Sequence, residues 1–357
     1  MPTLFDPLRV GNMELINRII MAPMTRSRAN DEGIQPSFVG EYYGQRASAG
    51  LIITEATNIS PMAKGYVRTP GIYSEEQVQS WRPVTDSVHA RGGMIFLQLF
   101  HTGRIALPDF LPNGTQPIAP SAVRAKGQNY TDEGMKEFVT PREITRDEIA
   151  QTIKDFAKAA TNAIKAGFDG VELHSASGYI VQQFLSTNAN LRSDKYGGSI
   201  ENRTRFLFEV LDAMIAAVGS ERVGVKFSPR MPFNDIEETD ADVVYPYILE
   251  RLNQRKLAYV HVGDFTKEGW HAKLRSIYHG AYFAGAGFTK ESGEALLKQG
   301  SADAIVFGTK LLANPDLTER FRRNADLNEP DQATFYSPGE HGYTDYPVLE
   351  GTHSAAT

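Results

Sequence analysis

The chain has 357 residues, of which 41% are hydrophobic and 22% are charged, and its formal net charge is −6. This balance is typical of a globular protein with one large core or two domains, and the scattered basic residues exclude an extended nucleic-acid or membrane surface. The absence of cysteine excludes disulfides, thiolate metal ligands and cysteine nucleophiles.

The first residues carry no basic segment followed by an apolar core. No apolar run approaches the roughly 18 residues that a membrane span needs. Together with the absence of cysteine, these features lead us to expect a cytoplasmic protein.

Short apolar runs recur along the chain, and each is followed by small or polar residues and then by a helical pattern. The runs are Ile19–Pro23, Leu51–Glu55, Met94–Leu99, Gly170–His174, Val223–Phe227, Ala258–Val262, Ala281–Ala284 and Ala304–Phe307. Near-continuous hydrophobicity indicates parallel strands buried on both faces. The helices are predicted at Pro36–Ala49, Glu75–Ala90, Arg146–Lys165, Ile200–Val218, Asp240–Gln254 and Lys290–Lys298.

This alternation of strand and helix predicts an α/β protein, a (β/α)₈ TIM barrel that forms a single domain over residues 1–357. A doubly wound open sheet is the alternative. Residues 105–142 form an insertion after the third strand, and we expect it to be a loop or lid region beside the site. A shorter acidic insertion, 231–238, follows the fifth strand, and residues 350–357 are expected to be a disordered tail.

The segment Gly170–Tyr179 places a histidine at the end of a strand and two hydroxyl groups in the turn that follows it. In parallel α/β proteins, this edge of the sheet is where ligands bind. His174, Ser177 and Tyr179 therefore form a set of hydrogen-bond donors for one bound oxygen. The same pattern is also typical of a buried core histidine, a helix N-cap and a packed aromatic residue.

The other strand ends carry groups that suit a flat heterocycle with a phosphate. Thr25 and Gln98 offer neutral hydrogen bonds, Ala56 leaves room for a ring, and Lys226 offers a cation. Two glycine turns, 285–287 and 308–309, follow the seventh and eighth strands, where many barrels hold a phosphate, although ordinary tight turns look the same. This combination predicts flavin mononucleotide (FMN). There is no dinucleotide fingerprint, metal-binding histidine motif or nucleophile elbow.

Longer motifs resemble the old yellow enzyme family of FMN-dependent ene-reductases. They are Leu4–Leu8, Asn17–Ile19, Met21–Arg26, Glu41–Ile52, Gln98–Arg104, Tyr196–Arg203 and Gly342–Pro347. The resemblance covers residues 4 to about 349. It implies a (β/α)₈ barrel with non-covalent FMN, hydride taken from NAD(P)H, activated alkenes or nitro compounds as substrates, and a monomer or homodimer.

The resemblance also implies roles for individual residues. Tyr179 is expected to donate the proton, and His174 with Ser177 to bind the substrate oxygen. The residues expected to hold FMN are Pro23, Met24, Thr25, Ala56, Gln98, Lys226, Ala286, Gly287, Gly308 and Thr309. The substrate pocket is expected to include Tyr66, Phe100 and Tyr343, and no metal site is expected.

Four positions depart from the family pattern. Ser177 stands where the family usually has His or Asn, Lys226 where it has Arg, and Thr309 where an Arg usually holds the phosphate. Phe100 replaces a Trp found in many members. Lysine keeps the charge of arginine but loses its planar fork. We therefore expect FMN to be held more weakly, mainly by backbone N–H groups, with Lys310 as the nearest cation.

The expected activity is ping-pong hydride transfer from NAD(P)H through the flavin to an activated alkene. A nicotinamide that only stacks on a flavin needs no dinucleotide-binding domain of its own. Two alternatives remain at this stage: a family member with non-redox, isomerase-like activity, and a flavin- or ligand-binding barrel with little turnover.

Overall fold

The computed structural model describes residues 1–350, and the remainder of the predicted tail, 351–357, lies outside the described residues. The strands are β1 Leu8–Val10, β2 Met13–Leu15, β3 Ile19–Met21, β4 Leu51–Ile53, β5 Thr57–Asn58, β6 Ile95–Phe100, β7 Ile118–Ala119, β8 Gln128–Thr131, β9 Gly134–Glu137, β10 Arg142–Glu143, β11 Gly170–Ser175, β12 Val223–Phe227, β13 Tyr259–Gly263, β14 Tyr282–Gly285 and β15 Ala304–Phe307. The α-helices are α1 Val39–Gly44, α2 Glu75–His89, α3 Arg146–Lys165, α4 Ile180–Leu185, α5 Ile200–Val218, α6 Ala241–Leu252, α7 Trp270–Arg275, α8 Lys290–Lys298, α9 Thr309–Ala313 and α10 Leu317–Arg323.

Eight parallel strands close into a barrel, in the order β11, β12, β13, β14, β15, β3, β4 and β6, with β6 paired back to β11. The two-residue strand β5 extends the wall beside the end of β6. The predicted (β/α)₈ architecture is therefore confirmed, and the open sheet is excluded because both edges are paired. Every barrel strand brings its C-terminal end to the same mouth, where the predicted site residues meet.

The barrel interior is filled by apolar side chains and closed at the bottom by a hairpin. The strands β1 and β2 pair antiparallel, and Val10 and Leu15 of this hairpin pack against Ile20, Phe96 and other interior residues. A larger apolar cluster lies between the strands and the helices. The strands thus face apolar material on the outside and in the lower part of the barrel, which explains their largely hydrophobic sequences, whereas polar side chains occupy the interior near the mouth.

Local sequence signals set several helix boundaries. Helices α2 and α3 begin at capping boxes in which Ser74 pairs with Gln77 and Thr145 pairs with Glu148. The helix predicted over Pro36–Ala49 is shorter, Val39–Gly44. Beyond it, the backbone N–H groups of Arg46 and Ala47 bond three residues back, so the chain continues as turns and not as α-helix.

The insertion 105–142 packs behind the site and does not line the cavity at the mouth. It contains the antiparallel hairpin β8–β9 and the short parallel pair β7–β10. Its apolar residues, including Ile105 and Phe138, form a cluster with Phe100 and Tyr179. The insertion therefore supports the wall that carries Tyr179, and a lid role for it stays a prediction from the sequence.

Candidate active site

Two neighbouring cavities open at the C-terminal mouth of the barrel. The first has a volume of about 300 Å³ and is lined by the predicted residues Pro23, Met24, Thr25, Ala56, Gln98, His174, Ser177, Tyr179, Lys226 and Thr309. The second has a volume of about 270 Å³, lies toward β14 and β15, and is lined by the predicted residues Ala286, Gly287 and Gly308 and by Lys310. Pro23, Met24, Lys226 and Thr309 border both cavities, so the two form one elongated site.

A buried polar network forms the floor of this site. The Nε2 amide group of Gln98 donates to Oε1 of Glu172 at 2.7 Å, and Nδ1 of His261 lies 3.0 Å from Oε2 of the same carboxylate. These three residues stand on β6, β11 and β13, and Glu172 has no exposed surface. Because Glu172 takes the amide N–H of Gln98, the carbonyl oxygen of Gln98 is left for a group in the cavity.

Lys226 supplies the cation of the site. It is the register partner of His174 on β11 and of His261 on β13, so the three side chains form one layer of the barrel. Within residues 1–350 its ammonium group has no hydrogen-bonded carboxylate. Burial lowers the pKa of Lys226, and the charge of Glu172 acts in the opposite direction. An ammonium group without a close partner in a cavity is suited to an anionic or carbonyl-rich ligand.

His174 is held as a neutral hydrogen-bond donor. The backbone N–H of Ala176 donates to its Nδ1 at 3.3 Å, which leaves Nε2 as the protonated ring nitrogen. Burial lowers the pKa of His174 well below its usual value, and the charges of Lys226 and His261 lower it further. The imidazole therefore presents an Nε2–H group to the cavity.

Tyr179 lies beside His174 at the start of α4. Their rings are edge to face with centroids 4.8 Å apart, and the Tyr179 hydroxyl donates to the Tyr66 hydroxyl at 3.0 Å. Burial raises the pKa of Tyr179 well above its usual value, and Tyr66 adds to this increase. The phenol therefore stays protonated at neutral pH, as a general acid must.

Ser177 is fixed by its backbone, and its hydroxyl has only one weak hydrogen-bond partner within residues 1–350. Its φ of +57° lies in the left-handed region, its N–H donates to Oγ of Ser228 at 2.9 Å, and its carbonyl accepts from Nδ2 of Asn234 at 2.8 Å. Its own Oγ contacts only Sδ of Met231, at 3.9 Å, among the described residues. A hydroxyl with such a weak partner is available to a bound oxygen.

The second cavity has the features of a phosphate cradle. Ala286 and Gly287 follow β14 with φ values of +88° and +77°, and Gly308 precedes helix α9. A Cβ added to Gly287 would meet open space, so its backbone is accessible to a ligand. Across residues 1–350, the N–H groups of Ala286, Gly287 and Thr309 donate to no protein acceptor.

Three residues predicted to line the substrate pocket lie elsewhere. Phe100 is fully buried beneath His174 and Tyr179, with ring centroids 6.3 and 5.3 Å from theirs. Tyr66 lies behind Tyr179, beyond the cavity lining. Tyr343 is fully buried and stacks on Tyr42 at 3.9 Å. Each ring is used in packing or in a hydrogen bond behind the cavity wall, and a substrate-binding role for the three residues stays a prediction from the sequence.

Phe233, Leu312, Phe335 and Tyr336 line the first cavity, although sequence reasoning did not select them. Tyr336 is 60% exposed and Phe233 is 45% exposed, which is unusual for large aromatic residues and typical of a ligand-binding rim. Phe335 and Tyr336 belong to the C-terminal segment, whose backbone carbonyls accept hydrogen bonds from Arg26 and Arg28. For Phe335 and Tyr336, the only sequence signal was that two aromatic residues are adjacent in an irregular segment.

No group of three or more metal-ligating side chains is present in residues 1–350. None of the helices in that range is both long and apolar enough to cross a membrane.

Comparisons with known proteins agree with this geometry. Residues 3–328 match the model of the NADH:flavin oxidoreductase / NADH oxidase family. The chain is 46% identical to a probable flavin mononucleotide-dependent alkene reductase of Leishmania infantum, over 97% of both chains. It is 43% identical to 12-oxophytodienoate reductase 1 of Oryza sativa subsp. japonica, over 97% of this chain and 93% of that protein. A structure of morphinone reductase in complex with tetrahydroNAD superposes with a TM-score of 0.95 and 44% identity, covering 99% of this chain and 100% of the other.

Proposed function

Because this chain belongs to the NADH:flavin oxidoreductase / NADH oxidase family, the old yellow enzymes, we propose that its barrel mouth reduces activated alkenes by a ping-pong reaction. The chain is an NAD(P)H-dependent flavin oxidoreductase of the ene-reductase type, and its cofactor is FMN. The observation that carries the proposal is the pair of neutral donors, His174 and Tyr179, beside one elongated cavity that ends in a phosphate cradle.

The residues of the cavity fit FMN. The unpaired N–H groups of Ala286, Gly287 and Thr309 suit a phosphate, and Lys310 borders the same cavity. Lys226, Thr25 and Gln98 border the first cavity, where they suit the polar edge of the ring system. Ala56 adds little bulk to the wall. When bound, FMN supplies the hydride that it has taken from NAD(P)H.

The substrate oxygen is bound by His174 and Ser177 in this proposal. The Nε2–H of His174 and the hydroxyl of Ser177 each donate a hydrogen bond to the carbonyl oxygen. These bonds strengthen as negative charge develops on that oxygen while hydride reaches the β-carbon. Because burial keeps His174 neutral, the site donates hydrogen bonds there without protonating the oxygen.

Tyr179 completes the reaction by protonating the α-carbon. Its pKa is held well above the usual value, so the proton is retained until a carbanion-like carbon accepts it. Phe233 and Tyr336 border the cavity and contact whatever part of the substrate extends toward solvent. Nitro compounds as a second substrate class, a cytoplasmic location and a monomeric or homodimeric state stay predictions from the sequence.

The test starts with the absorption spectrum of the purified protein. A flavin spectrum is expected, and NADPH or NADH consumption should rise when an enone such as 2-cyclohexenone is added without oxygen. Isomerised but unreduced product would favour the isomerase-like alternative. Bound flavin with no consumption of either nucleotide, with or without an enone, would favour the ligand-binding alternative.

A further inference from the structure

The protonation step in the proposed function leaves Tyr179 without its proton in an enclosed place. Tyr179 is 8% exposed, and the rings of His174 and Phe100 cover two of its sides. A substrate bound in the cavity covers the side of Tyr179 that faces the cavity. Water therefore has little direct access to the phenolate oxygen, and a new proton must reach it through a neighbouring group.

Tyr66 is the neighbour that contacts this oxygen. The two hydroxyl oxygens are 3.0 Å apart, and the rings are edge to face with centroids separated by 6.2 Å. Tyr66 is partly exposed, whereas Tyr179 is buried. Tyr66 as a residue therefore lies between the enclosed phenol and the surface of the protein.

Asn234 keeps this pair in place from the other side. Its Nδ2 donates to the carbonyl of Ser177 at 2.8 Å, and its side chain lies near enough to both phenols to lower their pKa values. The insertion 105–142 supports the segment before Tyr66, because Nδ2 of Asn129 donates to the carbonyl of Gly65. Contacts from three separate parts of the chain thus fix the relative position of the two hydroxyls.

We propose that Tyr66 is a positioning residue for Tyr179 and relays a proton to it from solvent. With substrate bound, both hydroxyls rotate, so that Tyr179 donates toward the α-carbon and Tyr66 donates to the Tyr179 oxygen across the same 3.0 Å contact. As the O–H bond of Tyr179 breaks and the α-carbon–hydrogen bond forms, the Tyr66 O–H transfers its proton to the Tyr179 oxygen. Water then returns a proton to Tyr66. No electrons move in the relay, and one solvent proton is consumed for each alkene reduced. The inference rests on the proposed role of Tyr179.

The two transfers are concerted in this proposal. A free phenolate at Tyr179 is disfavoured by burial, which raises the pKa of this phenol well above its usual value. Movement of the Tyr66 proton during the first transfer shifts that charge to Tyr66, the more exposed of the two residues, where water then neutralises it. Two protons therefore move in the step that oxidises the reduced enzyme, and solvent deuterium affects both.

The test compares Tyr66→Phe with the wild type in stopped-flow measurements. Tyr66→Phe keeps the ring and its packing, so its thermal midpoint should stay close to that of the wild type. Reduction by NAD(P)H should be unchanged, whereas oxidation by 2-cyclohexenone should slow by at least about tenfold. The rate of flavin oxidation is then measured in mixtures of H₂O and D₂O and plotted against the deuterium fraction. The plot should be curved for the wild type, because two protons move in one step, and linear for Tyr66→Phe, because only one proton moves.

The matched control is Tyr336→Phe, which removes a hydroxyl from the cavity rim and leaves the Tyr66–Tyr179 bond in place. The rate of flavin oxidation in Tyr336→Phe should still depend on the deuterium fraction along a curve, even if the KM for the enone changes. A straight line in the wild type, or the same curve in Tyr66→Phe, would overturn the relay. A Tyr179→Phe variant that oxidises as fast as the wild type would instead overturn the proposed role of Tyr179.

Discussion

The backbone N–H of Ala176 points at Nδ1 of His174, 3.3 Å away, and so decides which nitrogen of the imidazole carries the proton. The turn after β11 therefore connects the strand to helix α4 and also sets the protonation of the His174 ring. It makes His174 a fixed Nε2–H donor, and burial beside Lys226 keeps the ring neutral. A backbone N–H group thus determines which nitrogen of His174 donates a hydrogen bond to the cavity.

A flat pH profile follows from these protonation states. The pKa of His174 lies well below 6.5 and that of Tyr179 well above 10.0, so neither group changes charge between about pH 5.5 and 8. The oxidation of the reduced enzyme by 2-cyclohexenone should keep a constant rate over that range in stopped-flow experiments. A loss of rate as the pH falls through about 6.5 would mean that His174 titrates like an exposed histidine.

Ser177→Asn should strengthen the binding of the substrate oxygen. A serine hydroxyl reaches less far from the backbone than a carboxamide, and the left-handed φ of +57° is a conformation in which Asn is enriched. We expect tighter phenol binding, measured by titration against the flavin spectrum, and faster reduction of 2-cyclohexenone. The gain should stay below the roughly 2.7–4 kcal/mol that a full oxyanion donor contributes.

Bulkier enones provide the control for Ser177. The shorter side chain leaves a larger space beside the flavin, so the wild type should tolerate these substrates relatively better than Ser177→Asn does. If the wild type already binds phenol as tightly as the variant, the second donor is a group other than Ser177.

Thr309→Arg should tighten FMN binding. Thr309 borders the phosphate cradle without a charge, and a charge-assisted hydrogen bond contributes on the order of 1.5–3 kcal/mol. Purified wild-type protein should carry less than one FMN per chain, and fluorescence titration of flavin-free protein should give a lower Kd for the variant. An unchanged Kd would indicate that a neighbouring cation already holds the phosphate. In that case Lys310→Ala should weaken binding by a similar amount.

Ala286→Gly should stabilise the flavin-free protein. Ala286 has a φ of +88°, a conformation that costs a residue with a Cβ on the order of 1–3 kcal/mol. Glycine removes that cost, but its greater conformational entropy in the unfolded chain lowers the stability by about 0.4–1 kcal/mol. A higher thermal midpoint is therefore expected. Ala284→Gly, within the buried strand β14, is the control and should lower it. A lower midpoint for Ala286→Gly would mean that the turn is not strained.

The sequence predicted the barrel well because its signals are local. Strands such as Val223–Phe227 and Ala304–Phe307 have the predicted bounds, since buried parallel strands are short apolar runs between polar turns. Residues at the strand ends, such as Thr25 and Gln98, meet at one mouth because all barrel strands point the same way. For these residues, being at the C-terminal end of a barrel strand is enough to place the side chain at the site.

The rim of the site could not be predicted in this way. Tyr336 reaches the cavity because Arg26 and Arg28 bind backbone carbonyls about 310 positions further along the chain, a relationship without a periodic pattern. Tyr343, which was expected there, stacks on Tyr42, and the Arg28 guanidinium lies over its ring. Tyr66 lies next to the site but outside the lining of the first cavity, and its hydrogen bond to Tyr179 joins residues 113 positions apart, a relationship that no local pattern signals.

We propose that Tyr179 donates the proton in an FMN-dependent alkene reduction. The most direct test is stopped-flow measurement of both half-reactions of Tyr179→Phe. Reduction by NAD(P)H should match the wild type, because that step does not use the proton. Oxidation by 2-cyclohexenone should slow by about 10²–10⁴-fold, a typical general-acid effect. Equal slowing of both half-reactions, or no slowing of either, would contradict the claim.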